Sequence, residues 1–162
     1  MQHIDIAYPA DYSALQLDNQ LCFGLYAASH LMTKAYRPFL KDIGLTYPQF
    51  LVLLVLWEKK SQTVSALGDA LLLDSGTLSP LLKRLESAGF VQKTRRQDDE
   101  RQVIVTLTAR GEDLRAGAAE ARRQVVRLLG MTDVQISMMR RDMGLLMEVL
   151  DQEACNRKPT AA

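Results

Sequence analysis

Between residues 63 and 107 the spacing of apolar residues changes from a helical to a strand-like period. Two short segments with apolar residues at steps of three and four are separated by a brief turn, and the second begins at Asp74 and ends at Gly89. This spacing is typical of a helix-turn-helix. Apolar and polar residues then alternate, which predicts strands over 90–94 and 101–107. The sequence therefore predicts a helix-turn-helix followed directly by a charged β-hairpin.

Long helical segments flank this unit on both sides. From Asp18, a candidate N-cap, two apolar stripes run side by side as far as Gly44, and a helix with two occupied faces packs against more than one partner. Two more helical segments follow Thr108, the last from about Asp133. Its apolar residues recur in a heptad-like seam that fits packing between chains, although packing within one chain has the same spacing. The seam consists of Ile136, Met139, Met143, Leu146 and Leu150.

The predicted fold class is mainly α with a small β-hairpin wing, a winged helix-turn-helix between long N- and C-terminal dimerisation helices. A helix starting at Thr46–Tyr47–Pro48 is apolar nearly all round, so we expect it to be central. The expected segments are an N-terminal arm (1–16), a single winged-helix domain (17–155) and a C-terminal tail (156–162). Within the domain, the helix-turn-helix and wing occupy about 46–108, and the dimerisation helices occupy about 18–42 and 108–155.

The composition is that of an ordinary globular chain, because 48% of the 162 residues are hydrophobic and 24% are charged. The net charge is only +1, so a nucleic-acid-binding surface must be a local patch. No apolar run approaches the roughly 18 residues of a membrane span, and no signal peptide is visible. Two cysteines, Cys22 and Cys155, without an export signal indicate reduced thiols and a cytoplasmic location.

Four blocks of sequence, in the same order along the chain, carry a family resemblance. They are LDNQLCF (17–23), TKAY (33–36), GLTYPQ (44–49) and LDSGTLSPLLKRL (73–85). Together with the wing segment from Asp99 to Thr108, they resemble the organic-hydroperoxide-responsive repressors of the MarR family over roughly residues 18–150. The resemblance implies a homodimeric repressor that binds double-stranded DNA at a pseudo-palindromic operator. It also implies that an organic hydroperoxide oxidises a cysteine and so releases the operator.

The helix from Asp74 to Ala88 is the candidate recognition helix. With its leucines facing inward, its remaining polar and basic residues can reach bases and phosphates. These residues are Ser75, Thr77, Ser79, Lys83 and Arg84. Pro80 removes a backbone donor and is expected to bend or loosen the first turn.

The wing supplies the second group of candidate DNA contacts. The resemblance implies that a wing arginine enters the minor groove, and Arg95, Arg96 and Arg101 are all candidates. An ion pair between Asp99 and Arg101 would brace the hairpin. The arginines of the helix after the wing, at 115, 122, 123 and 127, are interpreted as a solvated face.

Cys22 is the residue singled out for chemistry. It lies about one turn from the predicted helix start, where the helix dipole favours a thiolate, and its stripe carries tyrosines. An inert buried cysteine is the commoner role of this residue type. The resemblance implies that Cys22 is the redox-sensing thiol and that Tyr36 and Tyr47 serve it. Because Tyr36 is about 21 Å further along a straight helix, it could serve Cys22 only from the other subunit.

The fate of oxidised Cys22 stays open. A sulfenic acid condenses with a second thiol, and some relatives carry a resolving cysteine on the helix after the wing. Between Thr108 and Gly130 this sequence has none. Cys155, at the end of the last helix, is a candidate resolving thiol, and a small external thiol or a persistent sulfenic acid are the alternatives.

The sequence does not predict an enzyme, a metal site or a cofactor. His3 and His30 are its only histidines, and neither a phosphate loop nor a dinucleotide fingerprint is present. Two other functions remain open at this point. One is a MarR-type regulator switched by a reversible small ligand, with Cys22 incidental. The other is a thiol-dependent peroxide-reducing enzyme, which would leave the helix-turn-helix and the wing unexplained.

Overall fold

The computed structural model describes residues 12–96, 99 and 102–156, with the side chains of 154–156 left out. The predicted tail, most of the predicted arm and Arg101 therefore lie outside the described residues. The chain divides into two compact units, one ending at Arg122 and the other starting at Arg123.

The first unit is a winged helix, so the predicted fold class is confirmed. Its elements, after two 3-10 turns at Ser13–Leu15 and Leu17–Asn19, are α1 (Leu21–Asp42), α2 (Tyr47–Lys59), β1 (Ser61–Thr63), α3 (Val64–Leu71), α4 (Ser75–Ser87), β2 (Val91–Arg95) and β3 (Val103–Leu107). The helix α5 (Ala109–Leu129) begins in the first unit and ends in the second, which also contains α6 (Asp133–Asn156). No single helix among the described residues is long and apolar enough to cross a membrane; α1 and α2 reach that length only together, with a 76° bend between them.

The sheet has three antiparallel strands in the order β1-β3-β2, one more than the sequence predicts. The missed strand, β1, pairs Gln62 with Val105 of β3. It has three residues without apolar alternation, so nothing in its own sequence favours a strand. Because β3 is the central strand, Val105 is fully buried and Ile104 is half-buried. This explains why β3 departs from strict alternation of polar and apolar residues.

The start of α1 differs from the prediction. Asp18 lies in a 3-10 turn and is not the N-cap, because the α-helix begins at Leu21 with Gln20 as its N-cap. The Gln20 side chain donates hydrogen bonds back to the carbonyl oxygens of Ala14 and Gln16. The helix therefore begins two residues later than predicted, and Cys22 falls in its first turn.

Other predicted helix ends are confirmed by their caps. Gly44 and Gly89 have φ of +73°, a conformation that suits glycine at a helix end. At the start of α2, the backbone N–H of Thr46 donates to Gln49 Oε1 at 2.8 Å. At the start of α3, the hydroxyl of Thr63 accepts from Ala66 N at 3.1 Å. The helix α4 runs through Pro80 without a break.

The core of the first unit forms around α2, as its sequence predicts. This helix buries six residues, including Leu53 and Leu56 with no exposed surface. By contrast, the only buried residue of α1 is Leu40, which lies one turn beyond Tyr36. The N-terminal part of α1 leaves large apolar side chains exposed, with Leu21 at 67% and Leu31 at 65%. Within the described residues, these two leucines of α1 are therefore not covered by the core of the chain.

The second unit also carries exposed apolar residues. Within the seam predicted on α6, Ile136 and Leu146 are half-buried, whereas Met139 and Leu150 are more than half exposed. Val134, Leu145 and other large apolar residues of α6 are exposed as well. A solvated helix of a monomer would normally present a polar face here, so the seam remains a prediction of packing between chains.

Gly111 marks the closest approach in the first unit. A Cβ at this position would lie 2.0 Å from the carbonyl oxygen of Phe90 and 3.1 Å from a side-chain carbon of Leu107. The Gly111 carbonyl accepts a buried hydrogen bond from the indole Nε1 of Trp57 at 3.0 Å, and its N–H donates to the Thr108 hydroxyl at 3.1 Å. The start of α5 is thus joined both to α2 and to the chain entering β2.

We expect Gly111→Ala to lower the free energy of unfolding by about 3 kcal/mol or more, because the added methyl meets main-chain atoms that cannot rotate away. Urea unfolding measures the effect. Gly144→Ala is the matched control, since a Cβ there meets nothing within 4 Å and Ala favours a helix over Gly by about 1 kcal/mol. A loss below about 1 kcal/mol for Gly111→Ala would contradict the close approach.

Candidate functional site

The helix α4 presents a polar face next to the wing. Leu78, Leu82 and Leu85 are buried, which confirms the predicted inward face. The predicted DNA-contact residues on the other side are all exposed: Ser75, Thr77, Ser79, Lys83 and Arg84. Ser75, Ser79 and Lys83 are spaced by four residues, so they form one stripe along the helix. This stripe carries hydroxyl groups at the N-terminal end and a cation further along.

Thr77 also has a structural role that the sequence analysis did not assign. Asp74 is the N-cap of α4, and its carboxylate accepts from Thr77 N at 2.8 Å and from the Thr77 hydroxyl at 3.0 Å. These hydrogen bonds lower the pKa of Asp74, because they favour its charged form. The Thr77 hydroxyl proton is therefore already used within the helix start, and only its lone pairs remain for DNA.

A cleft of about 650 Å³ separates α4 from the wing. Its lining includes Thr63 and Ser65 at the start of α3, Ser79 of α4, and Lys93 of β2. Lys93 Nζ lies 2.8 Å from Glu86 Oε2, so its charge is partly neutralised by the recognition helix itself. Hydroxyl groups from α3 and α4 therefore border the space where a DNA backbone would lie between helix and wing.

The structure describes two of the three wing arginines, Arg95 and Arg96, and their surroundings differ. Arg95, the last residue of β2, is exposed and pairs in register with Val103. Arg96 is exposed too, but its Nη1 donates to Gln102 Oε1 at 3.2 Å. Arg101 lies outside the described residues, so its predicted ion pair with Asp99 stays untested. Within the described part of the wing, Asp99 Oδ2 accepts from Gln102 Nε2 at 3.1 Å.

Cys22 lies in the first turn of α1 and is exposed in this chain. Within the described residues its side chain is not buried, and its role as the reactive thiol stays a prediction. Backbone N–H groups of a first helical turn point toward the N-terminus and favour negative charge nearby. Cys22 and Tyr36 belong to one continuous helix, fourteen residues apart, which corresponds to about 21 Å. The two side chains consequently cannot meet within one chain.

Tyr36 and Tyr47 form an aromatic cluster at the edge of the core. Their ring centroids are 5.3 Å apart, and the Phe50 ring lies 5.5 Å from Tyr36 and 6.2 Å from Tyr47. Burial is the main cause that raises the pKa of both phenols, and for Tyr36 the neighbouring Tyr47 raises it further. Both phenols therefore remain protonated hydrogen-bond donors at neutral pH.

Arg122 of α5 is exposed, like Arg115, Arg123 and Arg127, so the solvated face interpreted from sequence is confirmed. The positive charge of Arg122 acts on Tyr36, where it lowers the pKa against the effect of burial. Arg122 also lines a groove of about 310 Å³ beside Phe50 and Trp57, and Arg115 lines the same groove two turns earlier. The sequence feature that could have indicated a packed face beside Arg122 is the pair Ala118 and Ala121, whose small side chains are buried.

A second cavity, of about 810 Å³, lies between α1 and the start of α2. Its lining combines three exposed cations, Lys34, Arg37 and Lys41, with apolar groups and Tyr47. The described residues include no group of three or more His, Cys, Asp or Glu that could hold a metal ion. The side chain of Cys155 is outside the described part, so its distance to Cys22 stays open.

Known proteins of similar sequence carry the same architecture. Residues 34–116 match the family described as transcriptional regulator SarA/Rot. The organic hydroperoxide resistance transcriptional regulator of Bacillus subtilis is 40% identical over 142 residues, which cover 88% of this chain and 97% of that protein. The chain belongs to the MarR/SarA family of winged-helix transcriptional regulators. This membership confirms the resemblance drawn from the four sequence blocks, and it makes the chain a transcriptional regulator and not an enzyme.

Solved structures of this family include AbfR of Staphylococcus epidermidis in several redox states. Reduced AbfR bound to DNA is 38% identical to this chain, with a TM-score of 0.76, and the match covers 86% of this chain and 96% of AbfR. The disulfide-formed AbfR is 39% identical, with a TM-score of 0.59 and coverages of 82% and 93%. Family members thus include a protein that binds DNA when reduced and also forms a disulfide.

We expect the cap formed by Asp74 to stabilise the protein in a pH-dependent way. Its pKa is lowered on folding, so its contribution is present above the ordinary aspartate pKa and is lost as the pH falls through the lowered value. Asp74→Ala should therefore be less stable than the wild type at pH near 7, and the difference should shrink in acid.

Urea unfolding between about pH 7 and pH 3 measures this difference. Asp74→Ser is the control, because a serine caps a helix without titrating. It should keep most of the stability at neutral pH and show less of the acid-dependent loss. A difference between wild type and Asp74→Ala that is constant with pH would contradict this role for the carboxylate.

Proposed function

We propose that this chain is a cytoplasmic, homodimeric repressor that binds a pseudo-palindromic DNA operator when reduced and releases it when an organic hydroperoxide oxidises Cys22. One observation carries the sensor half of the proposal: an exposed thiol and the tyrosine cluster that would serve it lie on one helix but about 21 Å apart. The names of the regulators from Bacillus subtilis and Staphylococcus epidermidis support both the oxidant class and the DNA.

DNA binding would use α4 and the wing. The hydroxyl groups of Ser75 and Ser79 would reach base edges in the major groove, while Lys83 and Arg84 would bind phosphate. Arg95 and Arg101 are the proposed minor-groove residues, and Arg96 would help to shape the wing through Gln102. Since one chain offers a single recognition helix, two chains would read two half-sites of the operator.

The sensor would form across the dimer. The exposed apolar residues of α1 and of α6 support a second chain as their partner. Cys22 of one chain would then lie beside Tyr36 and Tyr47 of the other, whose phenols donate hydrogen bonds to its thiolate. The thiolate sulfur attacks the outer oxygen of the hydroperoxide, the S–O bond forms as the O–O bond breaks, and the alkoxide leaves and takes up a proton. Cys22 becomes a sulfenic acid and the hydroperoxide becomes an alcohol.

The next step has three candidate outcomes. The sulfenic acid condenses with Cys155 and releases water, condenses in the same way with a small thiol, or persists. The disulfide-formed AbfR supports a second thiol as the partner in a relative. In this chain α5 contains no cysteine, and the candidate resolving residue, Cys155, lies near the end of α6. Mass spectrometry of the oxidised protein distinguishes a Cys22–Cys155 disulfide from a mixed disulfide.

A reversible small-molecule switch is a second candidate function. The cavity between α1 and the start of α2 supports it, because its three cations and apolar lining suit an amphipathic anion. In that case Cys22→Ser would still be released from the operator by its inducer.

We expect Lys83→Ala to weaken binding to operator and to random DNA alike, because it removes a phosphate contact that releases counterions. Fluorescence anisotropy at several salt concentrations should show the slope of log affinity against log salt fall by about one per chain. Ser75→Ala should instead weaken operator binding several-fold more than random DNA. Lys59→Ala, at the end of α2, is the control with no proposed contact. Equal losses on both DNAs for Ser75→Ala would show that the recognition surface is wrong.

We expect Cys22→Ser to bind the operator as tightly as the wild type but to stay bound when cumene hydroperoxide is added, because the nucleophile is gone and the fold is nearly unchanged. Tyr36→Phe should also bind the operator and should be released more slowly. Anisotropy of a labelled operator measures both. Release of Cys22→Ser at the wild-type rate would exclude the redox mechanism.

A heterodimer tests the cross-subunit geometry. One chain carries Cys22→Ser and its partner carries Tyr36→Phe. If Tyr36 serves the partner's Cys22, the surviving Cys22 faces an intact Tyr36, so one complete site remains and reacts at the wild-type rate. If the pair acted within one chain, no complete site would remain. Reaction as slow as in the Tyr36→Phe homodimer would therefore contradict the cross-subunit site.

A further inference from the structure

We propose that Arg122 is a positioning residue of the peroxide sensor: its guanidinium group supports the Tyr36 phenol and supplies positive charge to the reaction at the partner's thiolate. The proposal rests on the proposed function, in which Tyr36 of one chain serves Cys22 of the other. It adds a cation to a site that otherwise consists of a thiol and two phenols.

The packing of α5 places the exposed Arg122 in one groove with Phe50, a member of the aromatic cluster. Ala118 and Ala121 are 3% and 2% exposed and belong to the core that also contains Phe50. Because these side chains are small, the neighbouring Arg122 lies close to the core edge, and it lines one groove together with Phe50. The Phe50 ring in turn lies 5.5 Å from the Tyr36 ring. One aromatic ring therefore borders both the arginine and the tyrosine.

The charges around Tyr36 single out Arg122. Burial and Tyr47 raise the pKa of Tyr36, whereas Arg122 lowers it. The same groove also contains Glu58 of α2 and Arg115 of α5, but neither contributes to the shift at Tyr36. The two arginines thus share a groove and differ in their effect on the phenol, which makes Arg115 a matched control.

The reaction gives such a cation a function. As the thiolate attacks, negative charge moves from sulfur onto the alkoxide that leaves, and the Tyr36 hydroxyl can donate a hydrogen bond to either atom. A positive charge behind the phenol makes that hydroxyl a stronger hydrogen-bond donor to the developing anion. Arginine suits this position because it stays charged at every physiological pH.

The experiment measures the second-order rate constant for loss of the Cys22 thiol with cumene hydroperoxide in full-length, reduced dimers. We expect Arg122→Gln to slow the reaction roughly tenfold, which is less than the loss for a hydrogen-bond donor that touches the reacting atoms. Arg122→Lys keeps the charge and should recover most of the rate. Arg115→Gln should react like the wild type. Operator affinity of the reduced protein should stay within about twofold for all three, because Arg122 is not among the proposed DNA contacts.

A second readout follows the phenol itself. Ultraviolet absorbance during an alkaline titration, taken as the difference from the matching Tyr36→Phe protein, should show a higher pKa for Tyr36 in Arg122→Gln, since the charge that lowers it is gone. A double-mutant cycle completes the test. In the Tyr36→Phe background, Arg122→Gln should cause little further slowing, because the arginine acts through the tyrosine.

Three results would overturn the proposal: an unchanged rate in Arg122→Gln, an equal loss in Arg115→Gln, or the same slowing by Arg122→Gln with and without Tyr36. If Arg122→Gln were poorly folded by circular dichroism, Arg122→Met, which keeps the length of the side chain but removes its charge, would replace it in the same comparison with and without Tyr36. Failure of the proposed redox function gives a different result: Cys22→Ser would then still be released from the operator by hydroperoxide, independently of the rates measured for the Arg122 variants.

Discussion

The close contact of Gly111 with the backbone of Phe90 is the constraint on which the rest of the first unit depends. It brings the start of α5 against the chain that enters β2, and the Trp57 indole fixes the same point to α2 by a buried hydrogen bond. Because β2 continues into the wing and α2 carries Tyr47 and Phe50, a single junction determines where the wing and the aromatic cluster lie. A side chain at Gly111 would disturb both surfaces at once.

Much of this fold is predictable because its elements carry local signals. Periodicity and caps predict α3, α4 and the hairpin, and the structure agrees to within about two residues. Two elements lack such signals. The strand β1 exists because β3 offers its open edge, so only tertiary pairing makes it a strand. The predicted start of α1 is too early because Leu17 continues the apolar stripe. The boundary lies at Gln20, whose side chain donates hydrogen bonds to the preceding turns, and the spacing of apolar residues gives no sign of these bonds.

The candidate site was predictable to a lesser degree, and the reason is the same. Cys22, Tyr36 and Tyr47 follow from a family resemblance and from helix geometry, and the structure places the two tyrosines in contact. Whether a polar side chain is already engaged within the chain cannot be read from spacing. Thr77 completes a helix cap and Arg96 binds Gln102, so both combine a structural role with any contact to DNA. Arg122 is exposed, as its sequence context predicts, but the groove that it lines with Phe50 depends on another helix and has no local signal.

The geometry of α1 makes the assembly and the chemistry inseparable. Its last turns pack on the core through Tyr36 and Leu40, whereas its first turn carries Cys22 and the exposed Leu21. A rigid helix keeps those two ends apart, so the proposed cooperation between thiol and phenol requires two chains. Tyr36 also touches Phe50 of α2, and α2 leads within two residues to β1, which pairs with the central strand of the wing. In the proposed dimer, oxidation of the thiol of one chain would act first on the core of the other, and the shortest covalent and packed route from that core to the proposed DNA-binding surface runs through the sheet.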